Sequence, residues 1–225
     1  MEWILDTADL KEIQACIDVF PISGVTTNPS IVKKQGNIDF FEHFKSIRNI
    51  LQTRSLHVQV ISQDVAGILK EAEMIRSRLD EQVYIKIPTT KSGLHAMRLL
   101  KAQGYPVTAT GIYTRLQAAL AIETHVDYLA PYVNRMANLD MDPFENMAFM
   151  AQLIAQSGSS SKIVAASFKN LNQLVQAIDS GVHALTVDPT LLNQIFDHPS
   201  IQLAVDDFTH DFEDIFGKGK TLLDL

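Results

Sequence analysis

Short apolar runs recur along the chain at residues 3–6, 24–27, 57–61, 83–87, 107–110, 128–130, 162–166 and 184–187. Several are apolar on successive positions rather than alternating, which marks strands buried on both faces of a parallel sheet. The stretches between them carry helical spacing. Residues 9–20 place Leu10, Ile13, Ile17 and Phe20 on one face. Residues 64–79 open on Asp64, a residue type that caps first turns, and then repeat Val65, Ile68, Leu69, Ala72, Ile75 and Leu79. Residues 92–101 stop before Gly104 and residues 170–178 before Gly181, each glycine a C-terminal stop signal.

Strand–helix repeats of this number in 225 residues predict an α/β fold, a (β/α)8 TIM barrel at compact size. A doubly wound sheet shares the alternation but more often has about five or six strands. No Gly/Ser/Pro-rich linker divides the chain, so residues 1–225 read as a single barrel domain. One more helix follows Pro199: residues 201–216 carry Leu203, Val205, Phe208, Phe212, Ile215 and Phe216. It stands outside the barrel count, and two readings of residues 200–216 stay open. The helix caps its own barrel, or it packs on a neighbouring subunit.

Composition narrows the class. Apolar residues make up 46% and charged residues 20%, an ordinary globular balance. The formal net charge is −7 and no Lys/Arg-rich run stands out, which argues against a nucleic acid or an anionic membrane surface as partner. A phosphorylated small molecule stays open, because a few local cations hold one phosphate whatever the net charge. Cys16 is the only cysteine, so no intrachain disulfide forms. The opening residues lack the basic start and apolar block of a signal peptide. No apolar run approaches the roughly 18–20 residues that span a bilayer. The expectation is a soluble cytoplasmic protein.

In a barrel, catalytic groups gather at the C-terminal ends of strands. Polar residues there, inside otherwise apolar runs, are the candidates. Lys86 sits in Val83-Tyr84-Ile85-Lys86-Ile87-Pro88, where burial disfavours its charged form and lowers its pKa, as a Schiff-base amine requires. The alternatives are pairing with a buried carboxylate or reaching water at the strand end. Asp6 closes the first run and reads equally as a helix N-cap or as a base for a substrate hydroxyl. In Gly24-Val25-Thr26-Thr27-Asn28-Pro29-Ser30 the proline pushes Asn28 to an extended conformation that turns its amide toward the barrel mouth. Gln59 shares a strand face with His57 and Ile61 and needs hydrogen-bond partners there. Thr110 and Tyr132 lie at or just past strand ends, where each is also an ordinary core residue. Arg135, Ser167 and Lys169 suit an anion site beside the seventh strand, with a surface salt bridge as the plainer alternative.

The seven histidines are scattered, with no His-x-x-x-His, no cysteine cluster and no glycine-rich nucleotide loop, so neither metal nor cofactor is expected. His57 reads as a packed barrel histidine. Carbon–carbon chemistry beside a ketone then needs another electron sink, and a protonated Schiff base is one.

The segments Leu5-Asp6-Thr7, Gly24–Ser30 as quoted, Ile85-Lys86-Ile87-Pro88, Ala130-Pro131-Tyr132-Val133-Asn134-Arg135 and Ala165-Ala166-Ser167-Phe168-Lys169 run in order across most of the chain. Together they resemble the transaldolase family, and within it the small fructose-6-phosphate aldolase subgroup. The resemblance implies that Lys86 forms the imine and that Asp6 accepts the C4 hydroxyl proton. It implies that Asn28 orients substrate hydroxyls with Thr26 in support. Gln59, Thr110 and Tyr132 would hold the water that moves protons, and Arg135, Ser167 and Lys169 would bind the acceptor's phosphate. Transaldolases typically carry glutamate and phenylalanine where this chain has Gln59 and Tyr132, and a tyrosine hydroxyl beside the enamine favours its protonation and release. The expected activity is therefore a lyase reaction, cleavage of fructose 6-phosphate to dihydroxyacetone and glyceraldehyde 3-phosphate. Its alternatives are transaldolase transfer between sugar phosphates of the pentose phosphate pathway and a non-catalytic sugar-phosphate-binding barrel. The resemblance further implies a homo-oligomer, pentamers stacked as decamers, with the C-terminal helix reaching a neighbour. The loop at residues 136–142 departs from the family's pattern in lacking glycines.

Overall fold

The computed structural model describes residues Met1–Leu225 and divides them into two compact units, Met1–Pro189 and Thr190–Leu225. In the first, β1 (Glu2–Asp6), β2 (Ile22–Thr26), β3 (Ser55–Gln59), β4 (Tyr84–Pro88), β5 (Val107–Ile112), β6 (Tyr128–Pro131), β7 (Lys162–Ala165) and β8 (Ala184–Val187) close into one barrel in sequence order. Every adjacent pair is parallel, including β8 on β1. The helices are α1 (Leu10–Val19), α2 (Pro29–Lys33), α3 (Phe40–Leu51), α4 (Val65–Arg78), α5 (Lys91–Ala102), α6 (Arg115–Ile122), α7 (Val133–Ala137), α8 (Pro143–Ser157), α9 (Leu171–Asp179), α10 (Pro189–Asn193) and α11 (Pro199–Phe216). This is the (β/α)8 barrel that the hydrophobic pattern predicts, with the additional C-terminal helix.

Element ends follow local chemistry. Asp9, not Asp6, caps α1: its carboxylate accepts from the amides of Lys11 and Glu12 at 2.9 and 3.0 Å, which leaves Asp6 to other work. The third strand begins and ends two residues earlier than residues 57–61 would have it. Glu71 of α4 is the reason, because its carboxylate takes the amides of Ile61 (2.6 Å) and Ser62 (3.0 Å) and draws the chain out of the sheet. The fifth strand runs on past Thr110 through a register shift at Gly111, whose φ of 66° suits a residue without Cβ.

Inward-facing residues alternate along each strand. Ile4, Tyr128, Ala130, Val164 and Ala184 pack as one apolar cluster, with Tyr84 against it. His57 belongs to this level: fully buried, it stacks on Tyr84 (4.5 Å between centroids) and meets Tyr128 edge-on at 5.1 Å. Two residues beyond Ile4, Tyr84 and Ala130 come Asp6 on β1, Lys86 on β4 and, just past β6, Tyr132, so a dry layer supports a polar one from below.

The second unit is short: a 3-10 turn at Gln194–Phe196, α11, and a closing turn at Leu222–Asp224. Pro199 opens α11 behind His198, whose ring accepts from the Ser200 amide at 3.3 Å. No α11 residue is buried.

Candidate active site

Lys86 lies at the centre of β4, 2% exposed, and its ammonium donates to the carbonyl of Thr27 at 3.1 Å. Removal from water holds its pKa below the ordinary lysine value; the nearby Asp6 carboxylate offsets this in part, and Arg135 adds to it. Asp6 responds in the complementary sense. Burial raises its pKa, Asp188 adds to the rise, and Lys86, the Thr26 hydroxyl and Lys34 oppose it. The Lys86 shift favours the neutral, nucleophilic amine, and the Asp6 shift makes its carboxylate, once ionised, a stronger base.

Around Asp6 the hydroxyls form a short chain. Thr26 Oγ1 donates to the Asp6 carboxylate at 2.8 Å and lies 2.6 Å from Thr186 Oγ1. Thr26 is buried, so it fixes the carboxylate from behind. Across the barrel, Thr110 Oγ1 and Tyr132 Oη are 2.9 Å apart. Burial raises the Tyr132 pKa, which keeps its phenol protonated and able to donate. Arg135 covers the Tyr132 ring at 4.7 Å and reaches Tyr113 Oη at 3.5 Å, which orients its guanidinium from two sides.

These groups open into one cavity of about 160 Å³ whose wall includes Asp6, Asn28, Lys86, Tyr132, Arg135 and Ser167. Lys169 stands in the same wall. Ser167 holds φ at 68°, a strained value for serine and of the kind found where a loop is shaped for a ligand. Asn28 is extended, as the following proline requires, but its side-chain oxygen caps α2 by accepting from Ser30 and Ile31 at 3.0 and 3.1 Å. Its amide NH2 is thereby the group left for a ligand.

Gln59 falls outside this wall. It is the register partner of Lys86 on β3, but it faces two neighbouring cavities of about 590 and 320 Å³. Its side-chain oxygen is buried without a partner. His57 Nε2 is likewise unpartnered, while Nδ1 lies 2.8 Å from Thr108 Oγ1. Desolvation first, then Lys86 and Arg48, lowers the His57 pKa to about 3, so the ring stays neutral. No group of three His, Cys, Asp or Glu side chains could hold a metal ion.

A sequence model described as Transaldolase/Fructose-6-phosphate aldolase matches residues 3–222. The chain belongs to the transaldolase/fructose-6-phosphate aldolase family. It is similar to a "Probable fructose-6-phosphate aldolase" of Streptococcus pneumoniae (strain ATCC 700669 / Spain 23F-1), 48% identical over 213 residues that cover 94% of this chain and 96% of that protein. The chain is thus an enzyme of the aldolase or transaldolase type, and no helix is long and apolar enough to cross a membrane.

Two further charged residues, Lys34 and Asp188, stand in the cavity of this family member without having been singled out from the sequence. Asp188 follows β8 as Asp6 ends β1, and that strand-end position was the available signal. Lys34 offered none, being one of two consecutive lysines at the end of a helical turn.

Proposed function

We propose that this enzyme cleaves fructose 6-phosphate reversibly to dihydroxyacetone and glyceraldehyde 3-phosphate through a Schiff base on Lys86. The observation that carries the reading is the desolvated Lys86 amine, in one small cavity with the Asp6 carboxylate and the Tyr132 phenol. The neutral amine adds to the C2 ketone, and loss of water gives the iminium. Asp6 takes the proton of the C4 hydroxyl as the C3–C4 bond breaks, and the released electron pair moves into the iminium to give an enamine. The aldehyde leaves. Tyr132, with Thr110 behind it, supplies the proton to C3 through water, and hydrolysis returns dihydroxyacetone and the free amine. Arg135, Ser167 and Lys169 hold the phosphate, and the Asn28 amide orients hydroxyls. Gln59, in register with Lys86 on β3 but outside the cavity wall, is the remaining candidate for that water, because its buried side-chain oxygen has no protein partner.

Even without the neutral Lys86 amine, cations outnumber carboxylates in this cavity, with Lys34, Arg135 and Lys169 against Asp6 and Asp188, although the chain carries −7 overall. That local excess suits a sugar phosphate substrate. The fit between a protonated Tyr132 and enamine release favours cleavage over transfer. The reading extends to a cytoplasmic enzyme of carbohydrate metabolism that works as a homo-oligomer, with α11 on a neighbouring copy.

Incubation with dihydroxyacetone and borohydride, followed by peptide mass spectrometry, tests the chemistry. A reduced adduct on Lys86 is expected, and its absence from folded protein would overturn the mechanism. Erythrose 4-phosphate then separates the two reactions: an aldolase releases dihydroxyacetone without it, and a transaldolase turns over only with it.

A further inference from the structure

Two charged groups of the cavity have no step in the proposed reaction, Lys34 and Asp188. Closure of the barrel brings Asp188 to Asp6. The β1–β8 register pairs Ile4 with Thr186 and Leu5 with Val187, and one more residue along both strands sets Asp6 opposite Asp188. Asp6 itself accepts from Thr26, which touches Thr186 two residues before Asp188, so the carboxylates share one hydroxyl-lined corner. Both line the same 160 Å³ cavity. A second carboxylate in this poorly hydrated corner raises the cost of ionising Asp6. Lys34, at the end of α2, stands in the same wall and opposes Asp188.

We propose that Asp188 is a positioning residue that sets the proton affinity of the catalytic base Asp6, with Lys34 as its counterweight. The proposal rests on the Schiff-base reading of the site. Its function is to make Asp6 a stronger base than a carboxylate facing Lys86 and Arg135 alone would be. A base flanked only by cations gives up its proton too readily to draw one from a sugar hydroxyl. The charged and titratable groups that face Asp6 are Lys86 from β4, Lys34 just past α2, Tyr132 and Arg135 from the β6–α7 segment, and Asp188 just past β8.

The signs are opposite for the two residues and give the test. Asp6 must be ionised to take the C4 proton, so turnover rises with pH through its pKa. The Asp188→Asn variant removes the neighbouring negative charge, and the acid limb of the kcat profile moves to lower pH. Asparagine is nearly isosteric with aspartate, so the substitution removes the charge with little change of shape. The Lys34→Gln variant moves the limb to higher pH, and Asp188→Glu restores the parent's profile. Borohydride trapping with dihydroxyacetone, which reports the Lys86 amine alone, is run on each variant across the same pH range. The expected result is opposite displacement of the turnover limb by the two neutralising variants, larger than any displacement of the trapping profile. Retained trapping with an unmoved limb in Asp188→Asn overturns the role of Asp188 and leaves the Schiff-base reading standing. Equal displacement of turnover and trapping shows that Asp188 acts on Lys86 and also overturns it. Loss of trapping in the parent protein sinks both.

Discussion

At the scale of single residues, the site divides into groups that react and groups that hold them. Tyr132 is the one whose replacement reports on the reaction type. Its hydroxyl sits 2.9 Å from Thr110 and stays protonated in its buried setting. The Tyr132→Phe variant keeps the ring under Arg135 but removes the proton source. Cleavage should fall by roughly 10²–10⁴, the usual worth of a positioned acid, while borohydride trapping on Lys86 persists. The enamine then lives longer, so addition of erythrose 4-phosphate should rescue turnover by transfer. An unchanged cleavage rate would remove Tyr132 from the proton path. His57 makes a different contribution. Its pKa is about 3 in the folded chain against 6.5 for an exposed histidine, so between these values the unfolded chain binds the extra proton. Stability is therefore complete above pH 6.5 and falls as the pH drops toward 3. Urea titrations at pH 7 and pH 4.5 should show a loss of about 3 kcal/mol from this group, and a His57→Gln variant should flatten that slope.

At the scale of elements, α5 starts in close contact with the end of β4, two residues beyond Lys86. Gly93, in the first turn of α5, makes room for it: a Cβ there would stand 1.9 Å from the Pro88 carbonyl oxygen. Backbone atoms do not yield as a flexible side chain does. The Gly93→Ala variant should push α5 off the end of β4 and cost about 1–3 kcal/mol, measured by chemical denaturation, with a weaker Lys86 adduct. A variant as stable as the parent would show that the helix shifts freely. The strands of this barrel were legible because continuous apolar runs leave few alternatives. Lys86 was legible because a lysine between isoleucines contradicts its own run. The end of β3 was not, because a carboxylate ten residues on, Glu71, decides where the strand stops. That shift accompanies a Gln59 outside the wall of the Lys86 cavity, although it is the register partner of Lys86. Asp188 was hidden for another reason. In sequence Asp188-Pro189 reads as an ordinary helix start, and only the closure of β8 on β1 brings it to Asp6.

For the molecule as a whole, the decisive contrast is between a complete site and an incomplete surface. Every residue that lines the Lys86 cavity falls between Asp6 and Asp188, inside the unit Met1–Pro189. The unit Thr190–Leu225, by contrast, exposes Ile201, Val205, Phe208 and Ile215 on one face of α11, with Phe208 72% exposed. An uncovered side chain of this size forgoes roughly 1.5–3 kcal/mol of burial, and several in one stripe mark an interaction surface. A second copy of the chain is the occupant proposed above, and charge placed in the stripe tests it. The Val205→Asp/Phe208→Asp variant leaves the α11 backbone helical, which circular dichroism verifies. Light scattering should give a multiple of 25.1 kDa for the parent and 25.1 kDa for the variant. The borohydride adduct on Lys86 should survive in the dissociated chain, because no residue of its cavity lies beyond Asp188. A variant with the parent's mass would take α11 out of the interface. A dissociated variant that no longer forms the adduct would mean that assembly holds the barrel mouth in shape.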